Sequence, residues 1–219
     1  MIAVLAQQLV DWAWIASHMD DVRQRTVEHA VLTFVPLAAG MAIAFPLAVA
    51  AQRWPRLYGP LLAFSGVLFT IPSLALFVLM LPFTGLSLLT AIVPLTLYTL
   101  LVLLRNTVEG LRSVPEDARE AALAMGYSRA RLLREVELPL ALPVIVAGLR
   151  IAAVTTIGLV TITFVIGLGG YGQFFLDGFI RRFATPVILG LVLSMGFAVV
   201  VDLGLLGVQR VLTPWNRGR

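Results

Sequence analysis

Residues 59–104 read GPLLAFSGVLFTIPSLALFVLMLPFTGLSLLTAIVPLTLYTLLVLL, without a single Asp, Glu, Arg, Lys or His. A helix needs about 20 apolar residues to cross a hydrocarbon core roughly 30 Å thick. This stretch is too long for one crossing. It breaks at Leu81-Pro82-Phe83-Thr84-Gly85, where Pro and Gly together favour a turn, which predicts spans at about 59–81 and 86–105. Working outward, residues 30–51 form an uncharged first span. A fourth span is predicted at about 141–166, with Arg150 near one end, and a fifth at about 185–212, with Asp202 inside it. The whole chain agrees. Of its 219 residues, 59% are hydrophobic and 13% charged, and its mean hydropathy is +0.95. A soluble domain carries about 25% charged residues. The fold class is an all-α polytopic membrane protein with about five transmembrane helices.

The formal net charge is +4 and the pI about 10.3, and all sixteen cations are Arg. They lie between the apolar runs and form no basic face with interleaved aromatics, which excludes a nucleic-acid partner. If residues 105–139 are cytoplasmic, Arg53, Arg56, Arg105, Arg112, Arg119, Arg129, Arg131, Arg134, Arg150, Arg210, Arg217 and Arg219 are inside. Arg23, Arg25, Arg181 and Arg182 are then outside. That asymmetry obeys the positive-inside rule and places the N-terminus outside. Residues 2–20 are mildly amphipathic, with Trp12 and Trp14 suited to a headgroup interface. An interfacial helix is expected there. A sixth span is the alternative, opposed by Gln7, Gln8 and Asp11.

Some chemistry is excluded. Without Lys there is no G-x-x-x-x-G-K-[ST] loop, so the chain carries no nucleotide site of that kind. Cys is absent, and with it thiolate nucleophiles and metal sites. His18 and His29 sit near the outer end of span one and read as interfacial. Pro36, Pro46, Pro72 and Pro94 free backbone carbonyls inside spans, either as packing geometry or to bend helices that line a passage. Tyr171, Phe174 and Phe175 are outward-facing aromatics, too close in sequence for a cation cage. Arg150 and Asp202 lie at similar inner-leaflet depth and form a candidate ion pair, or the coupling site of an ion-driven secondary carrier.

The most informative stretch is Pro115–Pro143. Pro115 suits a helix start, with Glu116 and Asp117 in the first turn. Ala118–Met125 is helix-forming, Gly126 has the character of a left-handed residue after a helix end, and Ser128 offers the next N-cap. Leu138-Pro139 is expected to end the second helix. Two short helices around a sharp glycine turn are therefore predicted at the cytoplasmic surface.

Glu120-Ala121-Ala122, three residues, Gly126, nine residues, then Val136-Glu137-Leu138-Pro139 resembles the E-A-A-x-x-x-G…I-x-L-P motif of ABC-importer permeases, with Val136 in place of Ile. The resemblance runs from about Thr26 to Leu212. It implies a type I, methionine-importer-like permease fold, with residues 105–139 as the cytoplasmic coupling loop. Glu120, Ala121, Ala122, Gly126, Val136, Leu138 and Pro139 are then the ATPase-coupling residues. Within the family the chain looks most similar to the osmoprotectant branch, which carries glycine betaine, choline, carnitine or proline-like solutes. Thr70-Ile71-Pro72-Ser73-Leu74-Ala75-Leu76, Leu104-Arg105-Asn106-Thr107, Leu138-Pro139-Leu140-Ala141-Leu142-Pro143 and Gly167-Leu168-Gly169-Gly170-Tyr171-Gly172 support that placement. Pro72, Ser73, Tyr98, Gly169 and Gly170 are candidate gate or passage residues. The resemblance also implies partners: ABC ATPase subunits, a second permease copy or paralogue, an extracytoplasmic substrate-binding protein and membrane lipid. ATP and Mg belong to the ATPase, and this chain holds no cofactor or metal. The expected organisation is an outer N-terminal segment (1–25), a transmembrane domain (26–212) and a cytoplasmic tail (213–219). The remaining alternatives are an ABC permease for another small solute such as an amino acid, and a passive channel, which needs no ATPase.

Overall fold

The computed structural model describes residues 10–214. What the sequence predicts for residues 1–9 and 215–219 lies outside the described residues. The carboxylate of Asp11 accepts a hydrogen bond from the Trp14 N–H at 3.0 Å and caps the short helix α1 (Trp12–Ser17). Helix α2 (Met19–Arg53) follows, with Asp20 and Asp21 in its first turn and Arg53 in its last, each charge suited to its end of the dipole. At 1.5 Å per residue its 35 residues are about 50 Å long. The first span therefore extends well beyond residues 30–51, and residues 19–25 are continuous with it.

A 3₁₀ turn (Pro55–Leu57) leads into α3 (Tyr58–Thr70) and α4 (Ser73–Thr84). The single span predicted over 59–81 is instead two helices bent by 92°. Pro72 has no N–H to give and disfavours helical geometry at Ile71, so the ladder stops between them. The predicted turn at Pro82 also moves. Helix α4 runs through Pro82 and ends at Gly85, whose φ of +63° is a conformation that L side chains rarely adopt.

Beyond it come α5 (Leu89–Arg112), α6 (Glu116–Ala124) and α7 (Arg129–Leu132). A π turn (Leu133–Glu137) joins α7 directly to α8 (Leu138–Val160). Leu138-Pro139 thus does not end the second short helix. The Leu138 N–H already bonds Leu133 O, five residues back, so the ladder is widened where Pro139 would otherwise crowd it. A 3₁₀ turn (Thr161–Ile166), α9 (Gly172–Arg181) and α10 (Ala184–Leu212) complete the fold, with no strand among the described residues. Among the described residues four helical segments are long and apolar enough to cross a membrane, and the bent α3–α4 pair makes five if it counts as one span.

The chain clusters into two compact units, described in turn. Among the described residues the first comprises 10–36, 71–95 and 154–200. Its core is Leu32, Phe77, Ala91, Leu95, Val160 and Ile166. His29, read from sequence as interfacial, is instead fully buried in this unit. Its ring stacks on Tyr171 at 4.4 Å and meets the edge of Phe197 at 5.4 Å, while Tyr171 N–H donates to its Nδ1. Aromatic packing on both sides takes the imidazole out of solvent. The same packing buries Tyr171, and Phe174 is buried as well, so neither faces outward as the sequence reading has it.

Among the described residues the second unit comprises 37–70, 96–153 and 201–214. Leu111, Val114, Ala141 and Ile145 form a buried cluster, with Met41, Val49, Leu133 and Leu138 packed against it. This cluster lies beside the motif-bearing loop.

Candidate functional site

The loop between α5 and α8 holds two short helices around a glycine turn, as its local sequence predicts. Helix α6 starts after Pro115 with Glu116 and Asp117 in its first turn. It stops in a double hydrogen-bonded turn: Gly126 N–H bonds Leu123 O at 2.9 Å and Tyr127 N–H bonds Ala122 O at 3.1 Å. That turn needs a left-handed residue, and Gly126 supplies it with φ +82°. Ser128 then caps α7, its hydroxyl accepting from the Arg131 N–H.

The turn divides α6 into two faces. Ala122 is buried, and Glu120, Ala121, Leu123, Ala124 and Met125 are exposed. The two alanines of the motif therefore sit in different places: Ala122 lets α6 lie close to its own chain, and Ala121 is left on the outer surface. Glu120 has no hydrogen-bond or ion-pair partner among the described residues. Leu123 and Met125 are 51% and 69% exposed, which puts apolar surface beside an unpaired carboxylate. Val136, Leu138 and Pro139 are half-buried, and Leu138 belongs to the packing around Leu111 and Ile145.

Sequence reasoning missed what holds α6 from behind. The Arg119 guanidinium donates from Nε to Glu137 Oε1 at 2.9 Å, from Nη1 to Glu116 Oε2 at 2.9 Å and from Nη2 to Leu111 O at 2.6 Å. Gln52 Nε2, in the last turn of α2, donates to the same Glu137 Oε1 at 3.1 Å. Glu137 is buried. Its place as the variable residue of Val136-Glu137-Leu138-Pro139 is the one signal that could have pointed to it.

The other candidates are distributed over both units. Pro72 caps α4 at the bend, Ser73 opens that helix, and Gly169 and Gly170 are buried in the first unit with φ of +121° and +49°. A Cβ on Gly170 would lie 2.6 Å from Cβ of His29, so this turn sits directly on α2. Tyr98 belongs to the second unit, is buried, and meets Phe69 edge-on at 5.7 Å. Arg150 and Asp202 form a bidentate pair within that unit, Nε to Oδ1 and Nη2 to Oδ2, both at 2.7 Å.

Residues 33–214 match the family described as binding-protein-dependent transport system inner membrane component. The chain is 41% identical over 196 residues to the osmoprotectant import permease protein OsmW of Salmonella typhimurium, covering 86% of this chain and 90% of that one. It is 35% identical to the choline transport system permease protein OpuBB of Bacillus subtilis (87% and 88% covered). It is 36% identical to the glycine betaine/carnitine/choline transport system permease protein OpuCD of the same organism (88% and 85% covered). Among solved structures, an inward-facing conformation of the MetNI methionine ABC transporter superposes with a TM-score of 0.80 at 27% identity, covering 90% of this chain and 98% of that one. An amino acid ABC transporter shares the fold at 16% identity, with a TM-score of 0.72. The chain therefore belongs to the binding-protein-dependent transport system inner membrane components and has the fold of an ABC importer permease.

Proposed function

We propose that this chain translocates a small osmoprotectant solute (glycine betaine, choline, carnitine or a proline-like compound) using ATP hydrolysed by a partner subunit. The observation that carries the reading is the exposed face of α6. A short helix, closed by a left-handed glycine and presenting unpaired Glu120 beside Ala121 and Met125, is shaped to enter a groove of another protein. Relatives named as osmoprotectant, choline and carnitine permeases support the solute class. Two ATPase subunits, which bind ATP and Mg, dock on the cytoplasmic side, one at this loop and one at the second permease. A second permease copy or paralogue completes the passage, and an extracytoplasmic binding protein delivers solute from the outer side. ATPase closure moves the coupling helices, and the spans switch between two discrete states of access. Pro72, Ser73, Tyr98, Gly169 and Gly170 act in opening and closing the passage. Arg150 and Asp202 satisfy each other through two hydrogen bonds and serve to tie α8 to α10.

The test is uptake in cells lacking other osmolyte transport, with the chain expressed beside its ATPase and binding protein. Labelled glycine betaine, choline or carnitine is expected to accumulate while ATP is present, and to keep accumulating when the proton gradient is collapsed. Uptake that follows the gradient and ignores ATP overturns the mechanism. ATP-driven uptake of an unrelated solute alone overturns the substrate class.

A further inference from the structure

A docking helix that only touches an ATPase cannot drive a passage; its displacement has to reach the spans. Helix α6 has two covalent ends, one through residues 113–115 to α5 and one through the turn at Gly126 to α7. Both are short bends between helices, and a bend changes its angle under load before it passes load on.

Arg119 supplies the missing connection. Among the described residues it is the one α6 side chain that hydrogen-bonds outside α6, since Glu116 bonds back to Arg119 on the same helix. Each of its three nitrogens has its own acceptor. Nη2 reaches Leu111 O, a carbonyl in the last turn of α5 that lacks a partner within the helix. Nε reaches Glu137, where the π turn becomes α8. Glu137 in turn holds Gln52, at the end of α2. The side chains of Arg119 and Glu137 are 18% and 11% exposed, so this is a shielded, geometrically fixed joint rather than a surface ion pair. The planar guanidinium fork is what permits three acceptors in fixed directions; a lysine ammonium has no such plane.

We infer that Arg119, through Glu137 and Gln52, is the positioning residue that transmits movement of the coupling helix to α2, α5 and α8. This rests on the ABC-permease reading above. Arg119 itself does not contribute to ATPase affinity, because it faces away from Glu120, Ala121 and Met125. Cutting the joint uncouples: the ATPase stays bound and hydrolyses ATP, and solute uptake per ATP falls.

The experiment uses the full permease complex with its ATPase and binding protein in proteoliposomes, with labelled choline and glycine betaine as probes. Three quantities are read: ATPase retained on the permease, ATP hydrolysed, and solute taken up. The R119Q/E137Q double variant removes both charges together and so leaves no buried carboxylate unpaired. It is expected to retain the ATPase and to lose at least about tenfold in uptake per ATP. R119K keeps a charge beside Glu137 while reaching fewer acceptors, and falls between the double variant and the unmodified chain. Uptake per ATP unchanged in both variants overturns the inference. Loss of the bound ATPase in R119K, with the unmodified complex intact, also overturns it, because Arg119 would then belong to the docking contact. An unmodified chain that retains no ATPase fails the parent reading instead.

Discussion

At the scale of single residues, Gly126 is the cleanest probe of the proposed coupling loop. A Cβ built there meets nothing within 4 Å, so replacing it brings no collision. What remains is backbone strain at φ +82°, about 1–2 kcal/mol for an L residue held in the left-handed region and more for a β-branched one. Gly126→Val is therefore expected to insert, fold and express normally. The chain escapes the strain by re-angling α6 against α7, and transport falls at least about tenfold. Labelled-solute uptake normalised to membrane expression checks this. Gly172 is the opposite case. Its Cβ would lie 1.9 Å from Thr161 O, so substitution there disturbs the fold and says little about function.

At the scale of elements, Arg150 on α8 and Asp202 on α10 tie two spans by a bidentate contact at 2.7 Å. Asp202→Ala leaves a guanidinium without its counter-charge within an apolar segment, where such groups are costly. Severalfold less folded protein in the membrane is expected, with recovery in the exchanged pair Arg150→Asp with Asp202→Arg. Detergent-extracted yield and monodispersity of the three chains measure it. These two residues were legible in the sequence because charges stand out against an apolar background. So was the Gly126 turn, since a helix stop, a left-handed glycine and the Ser128 cap are encoded within a few neighbouring positions. The 92° bend at Ile71-Pro72 was not. Hydropathy is the same on both sides of it, and periodicity cannot tell a kinked span from two helices when every residue is apolar. Pro139 misled for the reverse reason: a proline signals a stop, and the π turn that absorbs it leaves no local mark. The joint of Arg119, Glu137 and Gln52 was not legible because its contacts join residues 18 and 85 positions apart, and only the place of Glu137 inside the motif hinted at it.

At the scale of the whole molecule, orientation follows from charge. The arginine asymmetry predicts Ser128 inside and Arg181 outside. The chain has no cysteine, so single introduced thiols report without background. Both sites are exposed in the structure. Arg181→Cys is expected to react with an impermeant thiol reagent on intact cells, and Ser128→Cys only after permeabilisation. The reverse pattern would invert the topology and put the coupling loop on the wrong side for an ATPase. The fold and family were readable from the sequence because one motif and the run of apolar spans cover most of the chain. The direct test of the central claim is ATPase retention by the Glu120→Arg chain. Glu120 is exposed and unpartnered, so the substitution leaves this subunit's own packing intact. A charge-assisted contact is worth about 1.5–3 kcal/mol, or a factor of roughly ten to a hundred and fifty in affinity. Co-purification in detergent at matched expression should therefore show the unmodified chain retaining its ATPase and Glu120→Arg losing most of it, with uptake falling in parallel. Full ATPase retention and unchanged uptake in Glu120→Arg would contradict the assignment of residues 115–139 as the docking element.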